Sequence, residues 1–118
     1  MRALVTGASS GIGRDMALYL AQKGWDLVVV ARRSDRLLEL KEKAKNVDVL
    51  CITADLSKTD ECMRVYEETK GMQIDMLINN AGFGLAGEFS DTDLDRELCM
   101  IDTNVKAVHI LTKLYLKD

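Results

Sequence analysis

Short apolar runs alternate with helical patterns along this chain, and that alternation constrains the fold more than any other feature. Strand signals fall at Ala3–Thr6, Leu27–Ala31, Val47–Thr53 and Met76–Asn79. Between them the spacing predicts helices from Ile12 to Lys23, from Arg36 to Lys45 and from Lys58 to Lys70. Leu37, Leu40 and Ala44 fall on one face of the second helix, and Cys62, Val65, Tyr66 and Thr69 on one face of the third. Gly24 and Gly71 follow the first and third helices, where a left-handed residue ends a helix, and Ser57 stands where an N-cap belongs. The strand runs are continuously apolar rather than alternating, as expected of a parallel sheet covered on both faces. Right-handed crossovers then favour the strand order 3-2-1-4, the first half of a doubly wound α/β sheet.

The turn after the first strand reads Thr6-Gly7-Ala8-Ser9-Ser10-Gly11-Ile12-Gly13. Glycine lets the backbone turn sharply and lets a phosphate approach its N–H groups. The helix that follows points unpaired amides and its positive dipole end at the same anion. Glycines alone are weak signals, because any tight turn uses them; the strand–glycine loop–helix context gives them weight.

Composition excludes several classes. The chain has 118 residues, enough for one small domain, and 47 % of them are hydrophobic, enough for a core. With 30 % charged residues, a net charge of −3 and no basic tract, it is expected to bind neither nucleic acid nor an anionic membrane. No apolar run approaches a bilayer span, and the apolar start breaks at Gly7, so neither a transmembrane helix nor a signal peptide is expected. Cys51, Cys62 and Cys99 are odd in number and lack metal-ligand spacing. They fit a cytoplasmic protein with no disulfide framework and no metal, and read as small hydrophobes in or near the core. His109 has no neighbouring candidate ligand and reads as structural.

The last element runs from about Asp91 to Leu116. Leu94, Leu98, Ile101, Val105, Val108, Leu111 and Tyr115 step by three and four residues, which predicts one helix with a buried face or two with a break near Thr103. The glycine-rich segment from Gly82 to Gly87 precedes it, at the carboxyl end of the fourth strand, where open α/β sheets bind ligands.

The Gly7-x-x-x-Gly11-x-Gly13 loop with Thr6 before it resembles the cofactor loop of the short-chain dehydrogenase/reductase family. Asn79-Asn80-Ala81-Gly82 after the fourth strand and Asn104 on the next helix match that family in order and spacing. The resemblance covers the whole chain but only the first half of the family domain, and implies a Rossmann-type fold truncated after the fourth strand and its helix. It also implies hydride transfer between a nicotinamide and a carbonyl or secondary alcohol. Gly7, Ser9, Ser10, Gly11, Ile12 and Gly13 would hold the dinucleotide. Asp55 would accept a hydrogen bond from the adenine amino group with Leu56 packing nearby, and Asn80, Ala81 and Gly82 would lie along the adenosine half. As a bare residue Asp55 could equally cap the next helix, and Asn79 could tie neighbouring strands together.

Arg32 and Arg33 follow the second strand directly. An acid there would grip the ribose 2′-hydroxyl of NAD, whereas a guanidinium can fork onto the 2′-phosphate of NADP. NADP is therefore favoured, against the alternative of a solvated basic pair; family members preferring NADP often carry a second basic residue where Ser10 stands. Asn104 matches the asparagine of the family's catalytic tetrad, which stabilises a local helix distortion. The remaining serine, tyrosine and lysine belong after a fifth strand, which these residues do not reach, so they alone are expected not to turn over substrate. Tyr19 with Lys23 and Tyr66 with Lys70 fit Tyr-x-x-x-Lys spacing but flank the wrong half of the sheet; each reads as a core tyrosine with a lysine at a helix end. The alternatives are a nucleotide-binding module or sensor without turnover, and a non-functional fragment held by other chains. An unpaired edge at Met76–Asn79 and the long apolar stripe predict a homo-oligomer, with the final helix as the first candidate interface.

Overall fold

A computed structural model describes residues 1–9, 11–80 and 94–117. Strands β1 (Arg2–Thr6), β2 (Asp26–Ala31), β3 (Val49–Thr53) and β4 (Met76–Ile78) form one sheet. Helices α1 (Gly11–Gln22), α2 (Ser34–Lys43) and α3 (Thr59–Thr69) connect them. The strand order is β3-β2-β1-β4 and every pairing is parallel, with Leu4 opposite Val28 and Leu77. This is the predicted doubly wound order, and the strand bounds fall within two residues of the apolar runs.

Successive strand residues point to opposite faces, so one strand feeds two cores. Ala3, Val5, Leu27 and Val29 pack with Ala17, Leu20, Leu37 and Leu40 beneath α1 and α2. Leu4, Val28, Val30 and Ile52 pack on the other side with Cys62 and Val65 of α3. β1 and β2 are buried on both faces and so read as unbroken apolar runs, whereas the outer strands β3 and β4 are partly exposed. Gly24 and Gly71 end their helices with φ of +85° and +93°, as expected of left-handed stops.

Three local expectations need correction. First, α1 buries Gly13, Ala17, Leu20 and Ala21. Tyr19 is 59 % exposed and Ile12 70 %, so Tyr19 is not a core residue. Small residues let this helix lie close to the sheet, which displaces the larger Ile12, Met16 and Tyr19 to a shallow groove shared with Met76 and Ile78. Lys23 lies over the Tyr19 ring, its Nζ 5.5 Å from the ring centre. Second, the N-cap of α3 is Lys58 rather than Ser57, and no side chain caps it. Third, α2 begins at Ser34, earlier than its apolar pattern, because the Leu37 N–H already bonds the Arg33 carbonyl.

Of the two forms open to the final apolar stripe, one helix or two with a break near Thr103, the structure has two helices joined by a turn that contains Thr103. Helix α4 (Leu94–Ile101) runs into a π-helical turn at Asp102–Lys106, from which α5 (Ala107–Lys117) continues. Ala107 and Leu111 of α5 are buried in the α3-side core, and Tyr115 meets the Tyr66 ring edge-on at 5.3 Å between centroids. Leu94, Leu98, Ile101 and Val105 are exposed. The stripe therefore covers the sheet only in its second half. Among the described residues no helix is long and apolar enough to cross a membrane.

Candidate cofactor site

The carboxyl ends of β1 and β4 are knotted together beneath the glycine loop. Buried Thr6 donates its hydroxyl to the Ile78 carbonyl at 3.4 Å and accepts the Asn80 N–H at 3.0 Å. Asn80 then donates its side-chain amide to the Gly7 carbonyl at 3.3 Å. The Ala8 N–H bonds the Val30 carbonyl at 3.3 Å, which fastens the loop to β2 as well. Gly7 and Gly11 both have left-handed φ, +65° and +63°, a conformation that side chains resist. Gly13 is required for a different reason: a Cβ there would strike the Asn80 amide and the Gly7 carbonyl.

The first turn of α1 carries no acidic side chain to neutralise its dipole. Gly7, Ser9, Gly11, Ile12 and Gly13 thus gather at one strand-to-helix corner, while Ser10 lies outside the described residues. Asn80 stands against the loop it supports; Ala81, Gly82 and the glycine-rich stretch to Gly87 also lie outside the described residues. Asn79 has another task. Its amide donates to the Thr112 hydroxyl at 3.1 Å, so it ties β4 to α5 rather than to a neighbouring strand.

Arg32 and Arg33 are exposed at the end of β2. Arg33 is already engaged: its Nε and Nη2 donate to the two carboxylate oxygens of Asp35 at 3.3 and 3.0 Å. The hydrogen bond and charge of Asp35 raise the proton affinity of Arg33, and Arg33 in turn lowers that of Asp35. Arg32 makes no ion pair among the described residues. The carboxylate that engages Arg33 stands only two residues along the chain, a spacing that is itself the signal for this pairing.

Asp55 sits where β3 gives way to α3. Its Oδ1 accepts the Ser57 N–H at 3.1 Å and the Ser57 hydroxyl at 2.7 Å. Burial works against its charge, but the two Ser57 bonds and the positive Arg32 and Lys58 outweigh it and hold the carboxyl below its ordinary value. Behind it, Glu61 accepts the Asp55 N–H at 3.3 Å and is gripped by Arg64 at 2.8 Å. Arg64 also donates to the Thr53 carbonyl at 2.6 Å. Leu56 is only 5 % exposed and belongs to the α3-side core.

A glycine corner at β1, arginines at β2 and a carboxylate at β3 lie in strand order along one end of the sheet. The family profile described as short chain dehydrogenase matches residues 1–118. The chain belongs to the short-chain dehydrogenase family. It is 44 % identical to an 11-beta-hydroxysteroid dehydrogenase of Pinus massoniana over 75 % of this chain and 27 % of that protein. A solved short-chain dehydrogenase from Sphingobium yanoikuyae in complex with NADPH matches with a TM-score of 0.91 and 34 % identity, over 97 % of this chain and 46 % of that one. L-sorbose reductase from Gluconobacter frateurii, complexed with NADPH and L-sorbose, matches with a TM-score of 0.91 and 30 % identity, over 98 % and 46 %. The chain spans less than half the length of each.

In this member of the family, Asn104 lies in the π-helical turn, where the family resemblance leads one to expect a local helix distortion. The turn is spanned by an ion pair between Lys106 and Asp102 at 3.5 Å. Tyr66 is committed to packing against Tyr115. Cys62 is buried, which pushes its thiol up to about 11, and Cys51, half-buried, is also raised by burial. His109 is exposed.

Proposed function

We propose that these residues are the cofactor-holding, amino-terminal portion of an NADP-dependent oxidoreductase acting between a carbonyl and a secondary alcohol. The observation that carries this reading is the loop packed by Asn80 against Gly7 and Gly13 before α1, whose first turn holds no acidic side chain, with guanidinium groups at the next strand end. The residues fit a dinucleotide phosphate. Gly7, Ser9, Ser10, Gly11, Ile12 and Gly13 would surround the pyrophosphate, with backbone N–H groups and the helix dipole offsetting its charge. Arg32 and Arg33 would take the 2′-phosphate, Arg33 by exchanging or sharing its bond to Asp35. Asp55 would accept the adenine amino hydrogen with Leu56 packing nearby, and Asn80, Ala81 and Gly82 would flank the adenosine.

The bound nicotinamide supplies the hydride chemistry. This chain's share is to orient it, and Asn104 would support the proton-handling groups of the complete protein through the distorted turn. The residues present should bind cofactor without turning it over. NADPH complexes of two relatives at 34 % and 30 % identity support the choice of NADP. Free thiols at Cys51, Cys62 and Cys99 agree with a reducing cytoplasm. Exposed Leu94, Leu98, Ile101 and Val105 on one helix stripe favour a homo-oligomer.

Titration of the reduced cofactors, followed by nicotinamide fluorescence, tests the reading. NADPH should bind about tenfold or more tightly than NADH, the scale of one or two charge-assisted hydrogen bonds to the 2′-phosphate. Equal binding, or a preference for NADH, would remove the NADP assignment.

A further inference from the structure

We propose that Ser57 is a positioning residue that aims the Asp55 carboxylate at the 6-amino group of adenine, so that the choice of purine depends on the serine as well as on the acid. The inference rests on the nucleotide reading above and adds to it a residue that the reading does not use.

Both bonds from Ser57, through its N–H and its hydroxyl, fall on the same oxygen of Asp55. Oδ1 is thereby occupied, and the carboxylate is held against rotation. Oδ2 accepts no hydrogen bond among the described residues. The main chain of Asp55 is pinned independently, its N–H on Glu61, which Arg64 holds while bonding the Thr53 carbonyl. A half-buried carboxylate fixed in this way offers one oriented acceptor at the end of β3.

An ionised carboxylate only accepts hydrogen bonds. It therefore suits a 6-amino purine, which donates at that position, and opposes a 6-oxo purine, which presents a second acceptor. A carboxylate free to rotate would keep its charge but lose this aim. Ser57 therefore acts on selectivity through Asp55, without having to touch the ligand.

Calorimetric titration of the full chain with 5′-AMP and 5′-IMP tests the inference. The unaltered chain should prefer 5′-AMP about tenfold or more, as expected for a charged acceptor that gains or loses a donor. Ser57→Ala should cut that ratio roughly threefold or more, through weaker 5′-AMP binding with 5′-IMP unchanged, because one of the two bonds on Oδ1 is lost. Ser57→Thr, which keeps the hydroxyl, should retain the ratio. Should the alanine variant fail to fold, Ser57→Cys, close in size but a weak donor, carries the same comparison and should resemble the alanine expectation. If the unaltered chain discriminates and neither Ser57→Ala nor Ser57→Cys changes the ratio, or both nucleotides weaken together, the serine is merely structural and the inference is wrong while the nucleotide reading stands. If the unaltered chain fails to discriminate, or binds neither nucleotide, the adenine reading falls and the inference with it.

Discussion

Replacing Gly13 by alanine should cost much more than the gain in helix propensity that such a change usually brings. Alanine in a helix is favoured over glycine by roughly 1 kcal/mol. At this position a Cβ would stand 3.0 Å from the Gly7 carbonyl carbon, and closer still to the Gly7 oxygen and the Asn80 amide nitrogen. Two of those atoms are backbone, fixed by the left-handed turn at Gly7, so the strain cannot be relieved by rotating one side chain. Forced overpacking costs about 1–3 kcal/mol, and a clash with fixed backbone takes the upper part of that range, about 2–3 kcal/mol. Displacing Asn80 also breaks its bond to the Gly7 carbonyl, a further loss of about 1 kcal/mol. After the propensity gain is deducted, Gly13→Ala should destabilise by about 2–3 kcal/mol. For a domain of this size that lowers the melting temperature by roughly 8–12 °C. Gly11→Ala is the control: its Cβ would meet nothing within 4 Å, and only the left-handed φ of +63° opposes it. It should cost about 1–2 kcal/mol. Thermal melts and urea titrations of the two variants give the comparison. A Gly13→Ala protein melting within a degree of the unaltered chain, or above Gly11→Ala, would show that helix and loop do not approach closely and would refute this account of the corner.

Other expectations are open to direct measurement. Asp35→Asn frees the Arg33 fork and removes a negative charge beside the 2′ position, so 2′,5′-ADP should bind roughly two- to fivefold more tightly with 5′-AMP unchanged, the effect shrinking as salt is raised; unchanged or weaker 2′,5′-ADP binding in calorimetry would show that Asp35 positions Arg33 rather than competes for it. Burial raises the Cys62 thiol to about 11, so the folded state keeps a proton that the unfolded chain gives up near 9.0. The contribution of Cys62 is therefore complete below pH 9.0 and lost as pH rises through about 11; urea titrations between those values should show stability falling less steeply in Cys62→Ala than in the unaltered chain, and parallel slopes would contradict it. Leu98→Glu with Ile101→Glu places charges on the exposed stripe of α4, so light scattering should show an oligomer in the unaltered chain and a smaller species in the double variant; a monomer in both would remove the interface.

Most of the fold was legible because the central strands β1 and β2 are buried on both sides, and this leaves unbroken apolar runs such as Leu27–Ala31 that few other arrangements produce. The final stripe left one helix or two open, because its apolar steps of three and four run on unchanged past Thr103, within the π-helical turn at Asp102–Lys106. Which half of that stripe would be covered was not legible, because Leu98 and Leu111 look alike in sequence while only Leu111 meets the α3-side core. The inward face of α1 was misjudged for a related reason. Hydrophobicity points to Ile12, Met16 and Tyr19, but close approach to the sheet selects the small Gly13, Ala17 and Ala21. In the candidate site, the residue types at the strand ends were readable and their local partners were not. Ser57 carries the right chemistry for a helix cap, yet Asp55 two residues earlier captures its hydroxyl. Arg33 reads as an available charge until Asp35 is placed against it.

Calorimetric titration of the chain with 2′,5′-ADP and 5′-AMP, repeated on Arg32→Ala/Arg33→Ala, tests the central claim most directly. 2′,5′-ADP should bind about tenfold or more tightly, and the double variant should lose this advantage while its 5′-AMP affinity is unchanged. Equal affinities in the unaltered chain, or an advantage that survives loss of both arginines, would contradict it.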